Sequence, residues 1–230
     1  MSFSALSDLV TDLVPDTGAR LTAGAMGRAL EAARVQYSKD RPRLVLEDIT
    51  AVAGNRQALP LGWLPGAALV SLEYPVGQFP PVMLGPAEFG LLSTPAGDEI
   101  GLLNAVPAGE VLRVGFTAPH VLTASPDTCT IPAGHFEAVA CWAAALLCDQ
   151  LAAAYADNTD PTIAVDRVDY TSPSRTWAGR AKAYRERYAQ LVGVTGLAQG
   201  ERATTAPACA EADLALAMRD GGSRYNRWRG

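Results

Sequence analysis

The chain has 230 residues, 49% of them hydrophobic and 19% charged, so it can bury a core, and these values exclude wholesale disorder. The formal net charge of −5 at pH 7 argues against a general affinity of the whole surface for nucleic acid. The charge is unevenly distributed. Residues 57–166 hold eleven acidic residues and one basic residue, Arg113, whereas residues 167–230 hold eleven basic and six acidic residues.

The N-terminal residues and the cysteine content together indicate a protein that is made in a reducing cytosol. They lack a basic segment, and Asp8 and Asp12 lie where a signal peptide would be apolar. The most apolar stretch runs from Ala138 to Cys148, which is too short to cross a bilayer. Four cysteines in a chain of this length do not make a disulfide framework. We therefore expect a soluble protein with no membrane partner.

Two helices are predicted in the first part of the chain. Residues 4–14 place apolar side chains at helical spacing, and Pro15 ends the pattern. A second helix is expected from Thr22 to Ser38, with Thr22 as its N-terminal cap, because apolar residues again recur every three to four positions. Pro42 breaks this second pattern.

From residue 43 to about residue 123 the pattern changes to that of β-strands. Short runs of β-branched and large apolar residues are separated by Pro- and Gly-containing turns. Such regular spacing predicts hairpins in a small antiparallel sheet or barrel. The runs are RLVLEDITAV, ALVSLEY, FGLLST, EIGLLNA and EVLRVGFTA.

A long helix is predicted from Pro132 to about Asp157, and it is apolar on almost every face. A helix of this kind is usually buried all round, and one small domain can hardly cover every face. We therefore expect part of it to be buried between subunits. The residues assigned to this inter-subunit helix are Trp142, Leu146, Leu147 and Leu151.

After a connector, a last amphipathic helix is predicted from about Ser174 to Val192, and residues 193–230 read as a tail. A free tail gains nothing from tryptophan and tyrosine, whereas a docked tail can bury them beside guanidinium groups. A merely solvated tail is the alternative. The residues expected to dock are Arg224, Tyr225, Arg227, Trp228 and Arg229.

Together these patterns predict an α+β fold. Residues 1–42 supply two N-terminal helices and residues 126–192 two long C-terminal helices of one helical bundle core. A β-rich antiparallel insertion at residues 43–125 projects from this core, and residues 193–230 form the extended tail.

The sequence offers no site for catalysis, for a cofactor or for a metal. His135 and Glu137 match half of a zinc deaminase signature, but the P-C-x-x-C half is missing. Cys141 and Cys148 lie two helical turns apart, which suits core packing. No nucleophile elbow, phosphate loop or dinucleotide motif is present. We predict that the protein is not an enzyme.

The order of these elements resembles that of the head–tail adaptor (connector) proteins of tailed bacteriophages. The resemblance spans about residues 8–193, and no catalytic residue comes with it. It is carried by DLVPDTGARLT, by ALPLGWLPGAALVSLEYP, by LRVGFTAPHVL and by the paired closing helices from IPAGHFEAVACW to RERYAQLVG.

The resemblance implies a virion protein, made in the host cytoplasm and located in the neck at the head–tail junction. It would form a homo-oligomeric ring, commonly of twelve copies, that docks under the portal protein and presents a platform to a tail-side neck or tail-terminator protein. Genomic DNA would pass through its channel without sequence-specific binding. The expected docking tail would then bind the portal.

The acidic middle of the chain suggests a channel wall that does not hold DNA. The candidates to line or rim the channel are Asp98, Glu99 and Glu110, and a solvated outer surface is the alternative position for them. Three other functions stay open. They are another neck ring (a head-completion or tail-terminator protein), a small cytosolic enzyme that uses dispersed carboxylates, and a DNA-binding module that uses the basic C-terminal part.

Overall fold

A computed structural model describes residues 3–16, 18–22, 24–95, 97–123, 128–156, 162–164, 167–169 and 173–194. The chain divides into two compact units. The helical unit is formed by Met1–Arg41 together with Val121–Gly230, and the β unit is formed by Pro42–His120. The predicted α+β fold is confirmed.

Within its described residues the helical unit has four α-helices. The long helix is shorter at its start than predicted, because a 3₁₀ turn at Ala133–His135 precedes it. The helices are α1 Phe3–Leu13, α2 Ala25–Asp40, α3 Phe136–Ala154 and α4 Pro173–Val192.

Helix α3 lies at the centre of the helical unit and packs against α1, α2 and α4. Its alanines are small enough to let the neighbouring backbones approach closely, and Ala138, Ala140 and Ala144 are completely buried. Leu6 and Val10 of α1 face the same core. The apolar character of α3 is therefore largely satisfied inside a single subunit.

The N-terminal end of α2 differs from the prediction. The helix begins at Ala25, after Gly24 in the left-handed conformation (φ 79°), and no side chain caps it. The Thr22 hydroxyl instead accepts a hydrogen bond of 2.9 Å from the Arg28 guanidinium. Glycine adopts the left-handed conformation at Gly24 without strain, and the Thr22 hydroxyl is engaged with Arg28 and does not cap the helix.

The ends of α2 and α4 are tied together. Helix α4 ends at Val192. The next residue, Gly193, has φ 72°, and the N–H groups of Gly193 and Val194 both donate to the Ala189 carbonyl. The Arg41 guanidinium donates two hydrogen bonds, of 3.1 and 2.7 Å, to the Val192 carbonyl. A carbonyl that has no partner inside the helix is satisfied in this way.

In its described residues the β unit has two three-stranded antiparallel sheets, with strand orders β1-β6-β3 and β2-β5-β4. Five of the strands lie where the sequence predicts them. The strands are β1 Arg43–Thr50, β2 Gly54–Gln57, β3 Leu69–Glu73, β4 Phe89–Thr94, β5 Gly97–Val106 and β6 Val111–Ala118.

Two features of strand structure are missing from the prediction. Strand β2 has the sequence GNRQ, with no apolar run, and it pairs with β5 through an irregular register. The Gln57 side chain is buried and bonds both the N–H and the carbonyl of Val52. The predicted connector contains a two-stranded hairpin, β7 Thr162–Ala164 with β8 Arg167–Asp169.

The three strands of the first sheet are crosslinked by Arg113. Its guanidinium donates two hydrogen bonds to the Asp48 carboxylate in β1, of 2.7 and 3.0 Å, and one of 3.1 Å to Glu73 in β3. The hydrogen bonds from Arg113 hold the pKa of Asp48 below its usual value. The lone base of the acidic middle segment therefore has a structural role inside the β unit.

Helix α3 and the turn before it, Ala133–Ala154, form the one segment among the described helices that is long and apolar enough to cross a membrane. The length argument from the eleven apolar residues 138–148 is therefore wrong, since the helical segment has 22 residues. Most of it is buried in the protein's own core. Length and composition alone do not separate such a core helix from a membrane span.

The burial of α3 predicts the effect of shortening one of its side chains. Leu147→Ala should lower the free energy of unfolding of the helical unit by ~2–5 kcal/mol, because Leu147 is completely buried and truncation leaves a cavity. Urea unfolding followed by helical circular dichroism measures the change. Val121→Ala is the control, because Val121 is 42% exposed and its truncation should change the value by only about 0.5 kcal/mol. Equal losses in the two variants would contradict the described packing.

Candidate interaction surfaces

The residues considered for chemistry take part in packing and in ion pairs. No group of three or more His, Cys, Asp or Glu side chains that could hold a metal occurs in the described part of the chain. Burial raises the pKa of Cys141 and of Cys148 to about 11, so both thiols stay protonated at neutral pH. Glu137 accepts a hydrogen bond of 3.0 Å from Arg187 of α4.

A polar cluster joins α2 to the start of α3. The hydroxyl of Tyr37 and Nδ1 of His135 are 2.5 Å apart, and the two rings meet edge to face. Burial raises the pKa of Tyr37 to about 12. Burial and the nearby Arg41 hold the pKa of His135 below its ordinary value, so the neutral imidazole is favoured.

A second buried pair lies one turn further along α2. Asp40 is 2% exposed, and its Oδ2 accepts a hydrogen bond of 2.6 Å from the Tyr188 hydroxyl of α4. The same oxygen accepts a bond of 2.7 Å from the Gln36 side chain. These bonds fix the position of Tyr188, whose ring lies 4.8 Å from that of Trp142.

An open groove of about 590 Å³ runs between α2 and α3 on the surface of the helical unit. Its apolar part consists of Ala32 and Val35 from α2 and of Trp142 and Leu146 from α3. A Cβ atom added to Gly27, at the other end of the groove, would meet nothing within 4 Å. The charged residues that line it are Arg28 and Lys39, whose side chains only donate, and Glu31, whose carboxylate is paired with Arg34.

The four residues predicted for an inter-subunit helix fall into two groups. Leu147 and Leu151 are completely buried in the core of their own subunit, so they have no surface left for a neighbouring chain. Trp142 and Leu146 are only partly buried, and they line the groove. Only this second pair keeps surface that its own subunit leaves uncovered.

The β unit carries an uninterrupted apolar surface segment at residues 79–83, with the sequence FPPVM. All five residues are exposed, and Phe79 is 98% exposed. The base of this loop is closed by backbone hydrogen bonds from Tyr74 to Val82 and from Leu84 to Leu72. The Glu73 carboxylate, which also binds Arg113, accepts a bond of 3.2 Å from the Gly77 N–H.

A second exposed apolar side chain lies on a turn that is also fixed by hydrogen bonds to a carboxylate. Leu61 is 99% exposed, but its N–H and that of Gly62 donate to the Glu47 carboxylate at 2.8 and 3.0 Å. A Cβ atom at Gly62 would lie 2.9 Å from that carboxylate, which explains a glycine here. The ring of Trp63 packs against Phe116, with centroids 5.5 Å apart. Leu61 is thus presented by an ordered turn.

Several basic side chains of α4 contact other side chains of the protein, unlike those of a fully solvated helix face. Arg185 pairs with Asp149 of α3, and Arg187 pairs with Glu137 of the same helix. The Arg180 guanidinium lies 4.8 Å from the centre of the Trp177 ring. Part of the positive charge near the C-terminal end therefore serves to orient α4 on α3.

The three carboxylates predicted for a channel do not converge on one site. Asp98 and Glu99 lie at the beginning of β5, where Ser93 donates to Asp98 and Arg56 lies 3.8 Å from Glu99. Glu110 follows the other end of that strand. From Asp98 to Val106 the strand extends about 26 Å at ~3.3 Å per residue, and Glu110 follows the turn after Val106. The five residues predicted to dock through the tail lie outside the described residues.

The exposed segment at residues 79–83 and the groove are the features that the sequence does not reveal. In the sequence, Phe79 and its two prolines read as turn residues between strands, as P-P pairs usually do. A run of apolar residues signals an interaction surface only once the fold shows that nothing in its own unit covers it.

Comparison with solved structures finds neighbours of low similarity, and two of them come from gene transfer agent particles. One is described as the neck of an empty GTA particle computed with C6 symmetry, with 20% identity and a TM-score of 0.26. The other is the virion of a native gene transfer agent (GTA) particle, with 21% identity and a TM-score of 0.26. Each alignment covers 75% of this chain and 87% of the matched chain. No family model and no curated protein matches the sequence.

The environment of His135 predicts a loss of stability in mild acid. Because its pKa is lower in the folded than in the unfolded chain, the folded chain binds fewer protons, and stability falls as the pH drops below about 6.5. Asparagine keeps an acceptor near the Tyr37 hydroxyl but does not titrate. His135→Asn should therefore flatten the decline in urea-unfolding midpoint between about pH 7 and pH 5. Identical declines in the variant and the parent would show that His135 does not cause it.

Proposed function

We propose that this chain is a structural virion protein, a head–tail adaptor that forms a ring between a portal protein and a tail-side neck protein. The proposal is supported by the sequence resemblance over residues 8–193. The structure has the element order that this resemblance implies, with α1 and α2 before the β unit and α3 and α4 after it. Its role is mechanical: it extends the DNA channel and joins head to tail.

One observation carries this proposal. Both units present apolar side chains to solvent on supports that are fixed by hydrogen bonds and packing. Phe79 and Leu61 are almost fully exposed on closed loops, and Trp142 lines an open groove. Large exposed apolar side chains held in one place are typical of protein–protein interfaces, where aromatic residues in particular carry binding energy. A protein that works as one layer of a larger assembly needs such surfaces on more than one side.

The charge distribution fits passage of DNA through the ring. The β unit has seven acidic and three basic residues, and Arg113 is already paired with Asp48 and Glu73. In a ring the excess negative charges add, and a negative wall repels phosphates and so does not retain DNA. We place Asp98, Glu99 and Glu110 along or at the rim of this channel, spread over the length of β5.

Electron microscopy of the protein mixed with its portal tests the proposal. We expect rings of about a dozen copies, seated on the tail-facing side of the portal and continuous with its channel. A ring that binds only to tails would make this chain a different neck layer, and a protein that forms no ring with or without portal would refute the proposal. In a map that resolves side chains, arginines that dominate the channel wall would contradict the placement of the three carboxylates.

The tail proposal rests on sequence and has its own test. Removing residues 221–230 should abolish or strongly reduce attachment to portal-bearing heads, because the aromatic anchors are lost with them. Two matched variants separate the contribution of the aromatic rings from that of the positive charges. The double substitution Tyr225→Ala with Trp228→Ala keeps the charges, whereas substitution of Gln at positions 224, 227 and 229 keeps the aromatic rings. Attachment that is unchanged by the truncation would refute docking, and attachment that depends on charge and salt alone would indicate contact with DNA.

A further inference from the structure

We infer that residues 79–83 of one copy dock into the groove between α2 and α3 of a second copy, so that each subunit holds the next. This inference rests on the ring that the proposed function requires, and it names the contact that forms the ring. It joins an exposed segment of the β unit to a surface of the helical unit in another molecule. Every copy of the chain carries both the segment and the groove.

The segment has the properties of a ligand. Five consecutive exposed apolar residues are unfavourable on a free surface unless they serve binding. No charged residue occurs from position 74 to position 85, so burying the segment desolvates no ion. Pro80 and Pro81 restrict its backbone, and the loop base is closed by one hydrogen bond from Tyr74 to Val82 and one from Leu84 to Leu72. Less conformational entropy is therefore lost on binding than with a flexible peptide.

The groove has the properties of the matching receptor. Exposed aromatic and apolar residues bind to grooves that contain aromatic side chains, and Trp142 supplies such a side chain here. Trp142 is held in position by its contact with Tyr188, which is fixed in turn by its bond to Asp40. A volume of about 590 Å³ leaves room for the Phe79 ring and the neighbouring prolines.

The polar groups of the two surfaces are also complementary. Pro80 and Pro81 have no N–H, so this part of the segment offers carbonyl acceptors without the matching donors. The groove is lined by Arg28 and Lys39, whose side chains only donate. Its one carboxylate, Glu31, is already paired with Arg34, so the charged donors outnumber the free acceptors there.

The proposed contact determines the type of assembly. It joins two different surfaces, so each copy has one segment to give and one groove to fill. Such head-to-tail contacts close into a ring when the rotation between neighbours permits. A two-fold dimer would instead use the same surface on both partners.

Photo-crosslinking of mixed chains tests the contact directly. Phe79 is replaced by p-benzoylphenylalanine in the full-length chain, which is mixed with heavy-isotope-labelled parent protein, irradiated and digested. We expect light–heavy crosslinked peptides that contain residues of α2 or α3 at the groove. The same replacement at Leu103, which is 68% exposed in the β unit, is the control and should give no groove crosslinks. Crosslinks within one chain only, or to other surfaces, would overturn the inference.

Substitutions on each side of the contact give a second measurement. Phe79→Ser and Ala32→Arg both change exposed residues, so they should fold normally and weaken self-association at least about tenfold by light scattering. Val52→Ser, at a residue 63% exposed in another loop, should have no effect. Rings that survive both changes would overturn this contact but leave the proposed function standing. A parent protein that is monomeric at every concentration, alone and with portal, would refute both.

Discussion

The need to bury α3 on nearly every side determines the helical unit. Eleven of its nineteen residues are buried, and alanines make up much of the buried face. Small side chains bring the backbones of α1, α2 and α4 close to it, but they fill little volume themselves. The larger residues Trp142 and Leu146 are left only partly buried between α2 and α3, although the Trp142 ring also contacts Tyr188 of α4. The groove is the direct result of this arrangement.

The polar interactions around α3 define positions more than they add stability. The pairs Arg185–Asp149 and Arg187–Glu137 lie at the surface, where an ion pair contributes only ~0–1 kcal/mol. Their acceptors lie twelve residues apart on α3, so the two pairs hold α4 at two separate points along that helix. The buried bond between Tyr188 and Asp40 fixes α4 against α2 as well.

The sequence predicts the helices and strands that have a clear local residue pattern. It does not predict the features that depend on contacts with residues distant in the chain. Strands β1 and β6 follow from runs of β-branched residues, but β2 forms from GNRQ because β5 supplies its partner and Gln57 bonds the loop beside it. The apolar pattern of α3 predicts burial without showing which side the subunit covers itself. For the same reason Leu147 and Trp142 look alike in the sequence and differ in the structure.

The insertion of the β unit between Arg41 and Val121 has a consequence for synthesis of the chain. Helices α1 and α2 leave the ribosome first, but 95 residues lie between the end of α2 and the start of α3. At a synthesis rate of ~5–20 residues per second, the apolar faces of α1 and α2 stay uncovered for about 5–20 s before α3 is made. The contiguous β unit emerges complete during that interval. The β unit can therefore fold before the helical unit, although the first two helices of the helical unit precede it in the chain.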